Sequence, residues 1–157
     1  MVEIGTGNNR KVFYQKYDSN TAWYNGLPTI NWLCFAIVSN REPGELDEIS
    51  IKLINYNTCY VCCADEQGEL LHDYTDEEIN IRNLGLGEAY LPPFDITEIM
   101  TTWHSSIGEG LWFSIYAAYN DPLEIDAVVC LDCTNDNLEN QLLNLIERFN
   151  QGYLPPD

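Results

Sequence analysis

Six cysteines, two histidines and twenty-five carboxylates are the side chains of this 157-residue sequence with chemistry to offer. Cys59/Cys62 and Cys130/Cys133 are two Cys-x-x-Cys pairs, a pattern that holds zinc when the pairs lie about 15–20 residues apart. Here 67 residues intervene, and neither pair contains the glycine of a tight metal-binding turn. Tyr60-Val61 and Leu131-Asp132 read as strand, where residues three apart point to opposite faces, so the expectation is buried, reduced thiols with no metal and no cofactor. A thioredoxin-type exchange needs a low-pKa thiol at a helix start, and Asp132 beside Cys133 works against one. His72 or His104 could activate a cysteine nucleophile, which keeps a small Cys/His hydrolase among the possible classes. Both histidines lie where structural roles suffice, so no catalytic residue is assigned. Gly5-x-Gly7 lacks the rest of a dinucleotide loop, and Asp132–Leu143 lacks the glycine and terminal glutamate of a calcium hand.

The densest chemistry is acidic. Asp65 to Glu78 places seven carboxylates in fourteen residues, namely Asp65, Glu66, Glu69, Asp73, Asp76, Glu77 and Glu78, with no Lys or Arg from Leu53 through Ile81. Read as extended, residues 69–73 set Glu69 and Asp73 on one face about 13 Å apart, while Asp76, Glu77 and Glu78 gather at a helix start favoured by the dipole. Tyr74 is the aromatic within the run suited to anchor a contact. These residues are the expected partner-binding surface, and the turn bearing Asp121, Glu124 and Asp126 is the second choice.

The whole chain shares this bias, with a formal charge of −18. Five of its seven bases lie in the first 52 residues, leaving Arg82 and Arg148 against nineteen acids in the remainder. Such a field repels nucleic acid and anionic membrane and attracts a basic protein. At 45% apolar and 12% aromatic residues the chain can still bury a core, unlike acidic disordered chains. The expected function is that of a small inhibitor whose carboxylates occupy the basic cleft of a nucleic-acid-processing protein. An immunity protein against a nuclease toxin, or a phage anti-defence protein that mimics DNA, fits that description. A secretion or assembly chaperone is the main alternative. Residues 1–10 lack the basic and apolar regions of a secretion signal, and no apolar run reaches the roughly 18 residues of a membrane span, so the expected location is the cytoplasm.

The elements that would position these groups form one domain. Residues 1–11 and 153–157 read as mobile ends, and Val12–Tyr17, Ile30–Val38, Ile49–Leu53, Tyr60–Ala64 and Glu69–His72 read as strands. Asp95 to Ile107 reads as a helix from its capping pattern and apolar spacing, and a weaker helix starts at Thr75. Leu111–Tyr119 and Ile125–Asp132 read as further strands before a last helix from Asp136 to Gln151. Strands first and helices later predict an α+β domain with a largely antiparallel sheet and two or three helices packed on one face.

Overall fold

The chain begins with a hairpin, Val2–Gly7 (β1) and Arg10–Lys16 (β2), joined by Asn8 and Asn9 at φ 50° and 61°. Two consecutive left-handed residues make the turn whose twist matches that of paired strands, and asparagine tolerates that conformation well. In the computed structural model, which describes residues 1–87 and 90–156, there follow Trp32–Val38 (β3), Pro43–Asn55 (α1), Tyr60–Ala64 (β4) and Gly68–Asn83 (α2). Met100–His104 (β5), Ile107–Trp112 (α3), Ala127–Cys133 (β6) and Glu139–Asn150 (α4) complete the fold, with a π-helical turn at Phe113–Ala117 continuing α3.

The six strands form one sheet in the order β1-β2-β6-β3-β4-β5, in which β1 is antiparallel to β2 and every other pairing is parallel. The expected largely antiparallel sheet with two or three helices on one face is therefore wrong. The sheet is mixed and mostly parallel, and four helices cover both faces. Leu33, Phe35 and Cys130 pack toward Leu111 of α3 and Leu142 of α4, while Cys34, Val61 and Leu131 pack toward Leu46 of α1 and Leu71 of α2. Burial on both faces explains why every residue of β3 is apolar instead of alternating.

The misreadings have physical causes. Ile49, Ile51 and Leu53 alternate with polar residues, but Leu46, Ile49, Leu53 and Ile54 fall on one helical face, and Glu42 and Glu45 cap α1 reciprocally around Pro43. Residues 69–72 belong to α2, whose inward face is Leu71, Thr75, Glu78, Ile79 and Arg82. Asp95 does cap, its carboxylate accepting from the Thr97 amide at 2.9 Å, but only a short turn follows. Thr101, Thr102 and Trp103 then suit a strand better than the expected helix. Conversely, of the expected strand Leu111–Tyr119, rich in strand-forming residues, 111–117 are helical because Gly110 brings α3 down onto the sheet: a Cβ there would lie 2.6 Å from the Phe35 ring. The ends differ as well. Residues expected to form a mobile lead-in make β1, and of the expected mobile tail Tyr153 stacks on Phe149 with 6.1 Å between ring centroids, while Asp157 lies outside the described residues.

Candidate functional site

Four of the seven bases are turned into the structure. Arg10 donates to the carbonyls of Ser114 and Ala118, both at 2.6 Å, at the end of the π-helical turn, where those groups have no helical partner. Lys16 pairs with the buried Asp132 at 3.1 Å and donates to the carbonyls of Thr134 and Asp136. Arg82, 2% exposed, binds Glu78 at 2.7 Å, the Asn55 side chain at 2.7 Å and the carbonyls of Tyr90 and Ile51. Arg41 lies along the loop after β6, as described below, and Lys52 packs 4.3 Å from the Tyr24 ring. Only Lys11 and Arg148 are exposed, and Arg148 lies 3.8 Å over the Tyr153 ring.

The carboxylates behave in the opposite way. Because 66–77 is a turn and a helix, Glu66, Glu69, Asp73 and Glu77 lie exposed along α2. Glu69 and Asp73 are consequently about 6 Å apart along the helix axis, not 13 Å. Three of the expected contact residues have internal duties instead. Glu78 is 7% exposed and faces Arg82, Tyr74 packs against the core, and Asp76 accepts from the Thr101 hydroxyl while lying 3.5 Å from His72 Nε2. Asp65 is half-buried at φ 77°, where it turns the chain out of β4. Asp121, Glu124 and Asp126 are exposed before β6, at the opposite end of the parallel strands from Glu66 and Glu69, so the first and second choices are separate surfaces. There Tyr119 donates to Asp121 at 2.7 Å and Asn31 to Asp126 at 3.2 Å.

In open parallel sheets ligands enter where neighbouring strands send their connections to opposite faces. That point lies between β3, which leads to α1, and β6, which leads to α4. It is filled by Arg41, whose Nε donates to the Cys133 carbonyl at 2.8 Å and whose Nη2 donates to Asn135 at 2.7 Å, with Glu45 at 3.2 Å from Nη1. Asp132 holds the same loop. It accepts from Tyr14 at 2.8 Å, from the Thr134 hydroxyl at 2.7 Å and amide at 3.0 Å, and from the Leu138 amide at 3.1 Å. Burial alone would raise its pKa, but these hydrogen bonds outweigh it and hold the carboxyl below the usual range.

A cavity of about 260 Å³ lies beyond β5, lined by His104, Glu109, Trp112, Phe113, Leu154 and Pro155. His104 Nδ1 is 3.2 Å from Glu109, its ring is 4.7 Å from that of Phe113, and its buried Nε2 has no partner among the described residues. No activated thiol accompanies it. All six cysteines are free and buried, and burial pushes Cys59 and Cys62 up to about 11 and raises the other four as well. The two Cys-x-x-Cys pairs are held apart by β3, which lies between β4 and β6, with Cys62 and Cys130 on one face and Cys133 on the other. No group of three or more His, Cys, Asp or Glu among the described residues is placed to hold a metal ion. Nor is any described helix long and apolar enough to cross a membrane.

Fold and surface together define a three-layer protein with a mixed sheet and with its charges sorted, most bases turned inward and most carboxylates outward. The chain belongs to the family described as a domain of unknown function, DUF7684, whose model matches residues 10–149. No curated protein and no solved structure matches the chain.

Proposed function

We propose that this protein is an acidic inhibitor that engages a basic partner of the nucleic-acid-binding class, such as a nuclease, through the exposed face of α2. The inward commitment of Arg10, Lys16, Arg41 and Arg82 carries this reading, because it leaves Glu66, Glu69, Asp73 and Glu77 with no Lys or Arg paired to them. Duplex DNA presents one charge per about 1.7 Å of axis, or roughly ten over the ~16 Å spanned by residues 66–77 of a helix. The α2 face has about half that density, which favours electrostatic steering into a basic cleft over full imitation of a duplex. Free cysteines throughout fit a reducing compartment, and the cytoplasm is the proposed place of action.

A pull-down from host extract tests this, with wild type and the variant Glu66→Gln/Glu69→Gln/Asp73→Asn/Glu77→Gln as baits, each with and without competing duplex DNA. Basic proteins should be held by the wild type at low salt, released by DNA and lost with the variant. Equal retention by the variant would sink the proposal. A second reading, an assembly chaperone, draws support from exposed apolar residues at the foot of the sheet, Ile30, Leu84, Leu86 and Leu91, beside a cavity of about 320 Å³ lined by Phe94 and Leu123. Recovery of a neutral protein by both baits would favour it.

A further inference from the structure

The two outer strands of the sheet are finished differently. β1 carries Glu3, Gly5 and Gly7 and a register shift between Glu3 and Gly5, devices that discourage a further strand from adding. β5, Met100-Thr101-Thr102-Trp103-His104, has no bulge, proline, lysine or carboxylate, and Met100 and Trp103 remain 46% and 47% exposed. The Met100 amide donates to the carbonyl of Cys59, the residue before β4, and along a parallel pair alternate residues direct both backbone groups to the same side. Thr101 and Trp103 therefore present N–H and C=O outward, and no described residue bonds to these groups.

We propose that this edge takes up an extended, basic segment of the partner as a seventh strand, an inference that rests on the acidic-inhibitor reading and locates its contact. Charge selects this occupant. On the side of Thr101 and Trp103 stand Asp76, bonded to Thr101, and Asp73, which lies 3.0 Å from His72. On the side of Thr102 and His104 stands Glu109, 41% exposed and 3.2 Å from His104. Side chains of an added strand would alternate between the two sides, so lysine or arginine in either phase meets a carboxylate while the backbone pairs with Thr101 and Trp103. A second copy of this chain would bring the same acids against themselves.

The test uses isotope-labelled protein and a capped peptide of alternating lysine and valine, about seven residues long so as to span β5 at about 3.3 Å per residue. Binding should shift the amide signals of Thr101 and Trp103 and slow their hydrogen exchange. A peptide N-methylated on its pairing side should lose those effects, since it keeps the charge but cannot complete the backbone bonds. Raising ionic strength from about 0.05 to 0.5 M should weaken binding by about tenfold or more, as expected for exposed charges. Trp103→Lys should abolish it, and the methylated peptide gives the same discrimination without altering the protein. If the N-methylated peptide binds equally and shifts only α2 amides, strand addition is overturned while the acidic-inhibitor reading stands. If neither α2 nor β5 responds at millimolar peptide, both are overturned. Concentration-dependent protection of Thr101 and Trp103 in the free protein would assign the edge to self-association and overturn the proposed occupant, as would equal affinity for an alternating threonine and valine peptide.

Discussion

Glu78 and Glu77 are adjacent in sequence and identical in chemistry, yet they do opposite things. Glu77 stands in water, whereas Glu78 completes the coordination of a guanidinium with almost no exposed surface. Glu78→Gln should lower stability by about 3 kcal/mol, because it leaves Arg82 buried without its counter-charge, and Glu77→Gln should change it by less than about 0.5 kcal/mol. Urea unfolding of the two variants checks the contrast. Asp132 supplies a pH-dependent counterpart. Its folded pKa is depressed below the ordinary 3.8, so its contribution is present above that value and is lost as pH falls through the folded one. Asp132→Asn should therefore cost about 1–3 kcal/mol near neutrality, and the gap from wild type should narrow once the pH drops below about 3.8. A gap independent of pH would show that the ionised form matters little.

At the level of elements, α3 depends on one missing methyl group. Gly110→Ala would drive a Cβ into Phe35 and should destabilise by about 1–3 kcal/mol, measurable by thermal unfolding, even though alanine is the better helix former in isolation. That inversion shows why parts of this fold could not be read in advance. Residues 32–38, 60–64 and 127–133 were legible as strands and 139–150 as a helix because period and composition agreed there. Residues 107–117 were not, since what makes them helical is contact with a strand more than seventy positions earlier. Reading residues 49–53 of α1 and 69–72 at the start of α2 as strands hid the strand–helix alternation that marks a parallel sheet. The turn at Asn8-Asn9 was visible in principle, but the surrounding glycines disguised it as a mobile end. The acidic face was legible in composition alone. Its membership changed once Glu78 and Tyr74 turned inward and Asp76 bonded Thr101, and the open edge at Thr101 and Trp103 was hidden by the expected helix.

For the molecule as a whole, a charge of −18 on a surface with few exposed bases means that folding concentrates like charges. Midpoint temperature should rise with sodium chloride between about 0.05 and 0.5 M as repulsion is screened, and the four-fold amide variant of α2 should show a higher midpoint and a smaller rise. A flat salt response would mean that the carboxylates are too far apart to interact.

The position of β6 has a consequence for how the protein is made. This strand is the last in the chain but sits in the middle of the sheet, between β2 and β3. A ribosome that has released only residues 1–126 has produced a hairpin and a three-stranded fragment with no strand to join them, leaving the inner edges of β2 and β3 unsatisfied. Such edges pair readily with other chains, so the nascent polypeptide is exposed to aggregation until the threading of β6 completes the sheet. Stalled chains should therefore remain protease-sensitive until residue 133 has cleared the exit tunnel and then become resistant in a single step. Resistance gained gradually from the N-terminus would show that the two fragments are stable alone.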